Sequence, residues 1–188
     1  AGTSVEKDFF KAFLSEDTTA IQYLFDLLIL IFQQGPSILK NFGHPKVLHF
    51  HQTLKKVNRE RHRMQAFIRF QQSTDGLYFA IIDPDFNVLP LLLKFFKNRY
   101  TDQNWMIYDV KRDYGMLYNQ TSIEEVNLSP NQSLELSTTT IELTEEENYF
   151  QNLWKQYFKS TNIIERKNMK LHIQHVPRRY WKYLIEKQ

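Results

Sequence analysis

The sequence predicts an α+β fold: an antiparallel sheet built from two hairpins, packed with an N-terminal helical pair and C-terminal helices. Three observations predict it. Thr18 to Gln33 and His44 to about Arg63 carry apolar residues at helical spacing. Asp75-Gly76 and Lys111-Arg112-Asp113 each join two runs rich in β-branched and aromatic residues, as hairpin turns do. Glu145 to Thr161 opens on three Glu, which suits the positive end of a helix dipole. A chain of 188 residues fits one domain, 1–188, with residues 1–62 as a helical extension packed on it. Folding at this size buries about 70% of the unfolded surface, so no metal or disulfide staple is required.

The elements follow in order. Asp17 or Thr18 caps the first helix and Gly35-Pro36 stops it. Its apolar residues lie on most sides, which predicts burial between other elements. In the second helix Val47, Phe50, Leu54 and Val57 form one stripe and Lys55, Arg59 and Arg63 another. Arg61 falls on the apolar stripe, so either the helix has ended there or Arg61 is buried and paired. Met64 to Gln71 and Leu77 to Asp83 are the strands of the first hairpin. Val88 to Tyr100 is an amphipathic helix with Asn87 as its cap. Trp105 to Val110 and Tyr114 to Asn119 form the second hairpin, and Ile123 to Leu128 adds a strand. Residues 129–144 are rich in Ser, Thr and Asn and read as a mobile loop or a weak hairpin. After Thr161 the tail is irregular until Pro177, which opens a short helix ending near Glu186.

Charge is segregated along the chain. Residues 46–119 carry +5, residues 120–154 carry −7 and residues 155–188 carry +7. A basic face and an acidic flap are expected, and the basic face attracts polyanions. Glu165 to Gln188 mixes seven Lys or Arg with two His and three Tyr or Trp. Such a mixture suits phosphates with bases to stack on, and it equally suits a solvated amphipathic helix. On a helical wheel Tyr180, Trp181, Leu184 and Ile185 form an apolar face opposite Arg178, Arg179 and Lys182. The candidate nucleic-acid contacts are therefore Lys55, Arg59, Arg63, Arg166, Lys167, Lys170, Arg178, Arg179 and Lys182. The partner class is DNA or RNA, bound weakly and without sequence preference.

The absence of Cys excludes disulfides, thiolate zinc sites, iron–sulfur ligation and Cys nucleophiles in this chain. His172-x-x-His175 and His49-x-His51 have metal-like spacings, but no third ligand accompanies either pair, so no metal and no cofactor is expected. Asp83 and Asp85 flank Pro84 as turn chemistry. Asp109, Arg112 and Tyr114 are the weak catalytic candidates. A strand-borne carboxylate beside a guanidinium is either a turn-stabilising ion pair or an acid–base site. No Gly-rich phosphate loop, nucleophile elbow or H-E-x-x-H occurs. The longest apolar run, Tyr23 to Phe32, is too short to span a bilayer, so no membrane and a cytoplasmic setting are expected. The start, AGTSVEKDFF, lacks an initiator Met and a signal-peptide layout, and points to a trimmed or processed start.

Four strings carry a resemblance: KAFLSED at Lys11–Asp17, RMQAFIRF at Arg63–Phe70, FFKNRYTDQNWMIYDVKRDYGMLYN at Phe95–Asn119 and NIIERKNMKLHIQHVPRRYWKYLIEKQ at Asn162–Gln188. They resemble an uncharacterised bacterial family described as DNA-metabolism proteins and linked to a DNA modification or repair radical-SAM protein. Some of its members are fused to a uracil-DNA-glycosylase-like domain. The resemblance implies a further N-terminal segment upstream of this chain. It implies a radical-SAM iron–sulfur partner, which would hold the cluster because this chain has no Cys. It carries no assigned catalytic residues. Two functions follow as expectations. One is an accessory protein of DNA repair or modification that binds nucleic acid, the radical-SAM partner, or both. The other is an enzyme acting on nucleic acid through the polar site of the second hairpin.

Overall fold

A computed structural model describes residues 4–127, 144–161 and 168–187. The chain forms two compact units, Ala1–Met64 with Pro84–Leu92, and Gln65–Asp83 with Leu93–Gln188.

The first unit is helical. It contains α1 (Ser4–Phe13), α2 (Thr18–Gln34), a 3₁₀ turn at Pro36–Lys40, and most of α3 (Pro45–Phe67). Asp17 caps α2 as expected, its carboxylate accepting from the backbone N–H groups of Thr19 and Ala20 at 2.9 and 3.4 Å. Gly35, at φ 80°, ends α2 and donates its N–H to Ile31 at 2.8 Å. The core gathers Ala12, Leu24, Leu27, Val47, Phe50 and Leu54, with Phe9, Leu30 and Leu39 packed against it. The expected burial of α2 on most sides is corrected. Only Ala20, Leu24 and Leu27 are buried, while Ile21, Phe25, Leu28, Ile29 and Phe32 form an exposed stripe, with Phe32 at 89%.

The predicted stripe of α3 is buried in full: Val47, Phe50, Leu54 and Val57. The helix passes Arg61, which is half-buried with no partner for its Nε among the described residues. The buried charge is Glu60 instead. Its Oε1 accepts from the Asp85 N–H at 3.0 Å, and Arg63 lies 4.0 Å from its Oε2.

The second unit carries a five-stranded sheet in the order β1 (Gln71–Gln72), β2 (Tyr78–Ile82), β3 (Trp105–Asp109), β4 (Tyr114–Tyr118), β5 (Ile123–Val126). The fold is α+β and the sheet mostly antiparallel. Its central pair departs from expectation: β2 and β3 are parallel, with Ile82 beside Asp109. The reason is α4 (Leu89–Arg99), the crossover that two parallel strands require. The first hairpin is shorter than expected because α3 continues to Phe67. Met64, Gln65 and Ala66 are strong helix formers, and β1 keeps two residues. The second hairpin stands at Trp105–Asp109 and Tyr114–Tyr118, in the register Asp109 opposite Tyr114. Gly115 is required there. A Cβ at that position would lie 2.7 Å from the Tyr108 ring and 3.0 Å from the Ile107 carbonyl.

The C-terminal helices are α5 (Glu145–Thr161) and α6 (Met169–His175), followed by 3₁₀ turns at Arg178–Tyr183 and Ile185–Lys187. Thr144 Oγ1 caps α5 by accepting from the Glu147 N–H at 3.1 Å. The expectation of an irregular tail followed by one helix from Pro177 is corrected. Asn168 caps α6 upstream of Pro177 by accepting from the Leu171 N–H at 3.0 Å, and the chain beyond Pro177 winds as 3₁₀. The predicted loop, apart from Thr144, and residues 162–167 lie outside the described residues.

Candidate functional site

Two features of the second unit bear on function, and both involve the tail. The first lies at the carboxyl ends of the parallel strands, where sites of open α/β sheets are built. Asp109 ends β3 and is wholly buried. Its Oδ1 accepts from the backbone N–H groups of Lys111 and Arg112 at 3.0 and 3.3 Å. Its Oδ2 accepts from Arg112 Nη1 at 2.9 Å, and that side chain is one-tenth exposed. Burial pushes the Asp109 carboxyl up, against the pull of Arg112 and the two amides. Tyr114 sits opposite on β4, half-buried. These three predicted residues do come together, but around a sealed carboxylate.

Asp83 follows the end of β2, and its Oδ2 accepts from Lys182 Nζ at 3.0 Å. Tyr183 feels both acids. Burial pushes its hydroxyl up, and Asp83 and Asp109 push it the same way while Lys182 pulls against them. Lys182 is held above its ordinary value, first by its hydrogen bond to Tyr183 and also by Asp83. At neutral pH the Tyr is a neutral phenol and the Lys a cation. Neither is an activated base or nucleophile. The cluster holds the 178–183 turn against the sheet. No spacing in the sequence links Asp83 to Lys182, 99 residues away.

The second feature is the basic tail. Lys170, Arg178, Arg179 and Lys182 are all exposed. The Arg179 guanidinium lies 4.5 Å over the Tyr180 ring and donates to its hydroxyl. Arg178 lies 5.9 Å over Trp181, and Lys187 covers the same ring at 5.4 Å. Tyr180, Leu184 and Ile185 are buried as the wheel predicted, with Tyr180 1% exposed. Trp181 is not: a 3₁₀ turn advances 120° per residue, so it emerges half-buried. Its indole N–H donates to the Val176 carbonyl at 3.0 Å, and its ring rests against His172. Arg166 and Lys167 lie outside the described residues.

The α3 candidates belong to the first unit. Lys55 and Arg59 are exposed, whereas Arg63 is half-buried beside Glu60. Neither His pair joins a ligand set. His51 hydrogen-bonds the Leu39 carbonyl at 2.9 Å and His49 packs edge-on against Tyr23. Burial, then Lys187, pulls the His172 ring down. Among the described residues no three His, Asp or Glu are grouped to hold a metal ion, and no helix is long and apolar enough to cross a membrane.

Residues 18–186 match the model of a domain of unknown function, DUF4130. The chain belongs to the DUF4130 family. No curated protein and no solved structure matches the chain. The DUF4130 match includes every candidate residue above, from Lys55 to Lys182.

Proposed function

We propose that this DUF4130 protein is an accessory protein of DNA repair or modification. It binds DNA or RNA weakly and without sequence preference, and docks a radical-SAM iron–sulfur partner in the cytoplasm. The observation that carries the proposal is the exposure of Lys170, Arg178 and Arg179, with Arg178 set over the Trp181 ring and Arg179 over the Tyr180 ring. Guanidinium and ammonium groups held at a surface are phosphate contacts, and each adds to a salt-dependent affinity. Lys182 contributes less, because Asp83 already neutralises it. Lys55 and Arg59 extend the same chemistry on the first unit.

The docking half rests on the exposed apolar stripe of α2, since a contiguous apolar surface marks an interaction site. The family resemblance of the four strings supports the radical-SAM class of partner. Binding is favoured over catalysis because the one carboxylate proposed for acid–base work, Asp109, is sealed from any substrate. Pull-down from cells with the tagged full-length protein, with and without nuclease, tests both halves. Nucleic acid recovered only without nuclease, and an iron–sulfur protein recovered in both cases, is the expected pattern. Recovery of neither overturns the proposal.

A further inference from the structure

At the opposite end of the same sheet, the second unit holds a cavity of about 330 Å³. Tyr78 and Trp105, the first residues of β2 and β3, form part of it. Phe70 and Arg69 come from the segment before β1, and Tyr100 and Gln103 from the end of α4 and the loop that follows. The walls are therefore mostly flat rings. Phe70 meets Tyr100 edge-on at 5.5 Å, and Trp105 forms the buried floor 6.2 Å from Phe70.

The polar groups are few and placed at the edges. The Gln103 amide and the Tyr78 hydroxyl have no hydrogen-bond partner among the described residues, and both residues are only half-buried. The Trp105 indole N–H is buried and also lacks one. Arg69 is spoken for by Glu186 at 2.9 Å and the Ala66 carbonyl at 2.7 Å. Arg99, in contrast, is exposed and precedes the wall residue Tyr100 in the chain. Its guanidinium lies 5.6 Å over Tyr100, and its Nε donates to the Tyr100 hydroxyl at 3.4 Å.

Aromatic faces want a flat ring. An amide with one donor and one acceptor edge wants a ring whose own edge offers both. A volume at the low end for ligand pockets admits one such ring system, not a large ligand. An exposed guanidinium over a wall ring suits a phosphate attached to the bound ring. We infer that this cavity is a nucleotide site. The base would enter among Phe70, Tyr78 and Tyr100, Gln103 would read its edge, and Arg99 would meet the phosphate. The ligand is either a free nucleotide or one unstacked base of a single strand. The strand source rests on the proposed function, and the free-nucleotide source does not.

Calorimetric titration of the full chain with AMP, GMP, CMP and UMP, and with a single-stranded oligonucleotide, tests the site. Saturable binding of at least one mononucleotide is expected. Gln103→Trp, which fills the cavity from a loop position, should abolish it. Tyr100→Ala should weaken it by roughly 5- to 150-fold, as loss of a stacking partner does. Gln103→Leu should bring the affinities of the four nucleotides together. Lys170→Gln with Arg178→Gln and Arg179→Gln should leave mononucleotide binding unchanged and weaken only the oligonucleotide. No saturable mononucleotide binding, or wild-type binding by Gln103→Trp, overturns the inference, even if oligonucleotide binding persists and the proposed function stands. Mononucleotide binding without oligonucleotide binding upholds the cavity as a free-nucleotide site and refutes the proposed function. Oligonucleotide affinity lowered by Gln103→Trp assigns the cavity to a base of the strand.

Discussion

Replacing Asp109 by Ala separates a structural carboxylate from a chemical one. The side chain is wholly buried and accepts three hydrogen bonds: two backbone N–H groups at 3.0 and 3.3 Å, and Arg112 Nη1 at 2.9 Å. Its removal takes a carboxylate from the nearly buried Arg112 and the side-chain acceptor from two backbone amides, of which Arg112 N–H keeps the Asp109 carbonyl at 3.3 Å. An unsatisfied buried donor costs about 1–3 kcal/mol. Breaking one side of a buried pair costs about 3–5 kcal/mol in total, and the two figures overlap rather than add. Asp109→Ala should therefore lose about 3–5 kcal/mol. Asp109→Asn keeps an acceptor for the amides and should lose less. Urea unfolding followed by tryptophan fluorescence reads both, with an unchanged slope as the sign that the midpoint shift is stability. If Asp109→Ala unfolds within about 0.5 kcal/mol of wild type, the carboxylate does not hold the turn and the structural reading fails.

Other expectations follow from the same contacts. Tyr180→Ala should cost about 3–5 kcal/mol because the ring is fully buried. Trp181→Ala should cost clearly less because the 3₁₀ turn leaves its ring half-exposed, and paired denaturant midpoints rank the two. Gly115→Ala should destabilise by about 1–3 kcal/mol through its clash with Tyr108 and the Ile107 carbonyl, read as a lower melting temperature. The pH profile carries two opposed signs. At Glu186 burial raises the carboxyl, but its own amide, the Trp154 indole and Arg69 outweigh it, so the net shift is down from 4.5. Its stabilising contribution is present above pH 4.5 and lost as pH falls through the depressed folded value, so Glu186→Gln should flatten the acid limb of stability. Asp109 is raised from 3.8. Its contribution is full below that pH and lost as pH rises through the folded value, so the deficit of Asp109→Asn should shrink with rising pH.

α2 and α3 were legible because their ends and faces are written in the chain. Asp17 caps, Gly35-Pro36 stops, and Val47, Phe50, Leu54 and Val57 keep one face. The boundary at Met64 to Phe67 was not, because those residues serve a helix or a strand and the preceding helix simply continued through them. Strand direction was not legible either: Tyr78–Ile82 and Trp105–Asp109 look alike whether parallel or antiparallel. The helix between them was the available clue. α1 is absent from the sequence expectation although Phe9 and Ala12, three apart on one helical face, both reach the core. In the tail, residue types mark the aromatic anchors and the cations, but the chain turns at about 3.0 residues rather than 3.6, which brings Trp181 out of the apolar face. The Asp83–Lys182 pair and the cavity above Trp105 join residues far apart in sequence, and only the folded sheet brings them together.

The central claim is that Lys170, Arg178 and Arg179 hold phosphate. The direct measurement is the slope of log K against log salt for duplex DNA, by fluorescence anisotropy, for wild type and for the triple Gln variant. Each phosphate contact contributes about 0.9 to the slope, so four to six contacts give roughly −4 to −5 for wild type. Loss of three should flatten it by about 2.7, with a small fall in melting temperature from the lost Arg179–Tyr180 contact. A triple variant with the wild-type slope and affinity would contradict the account.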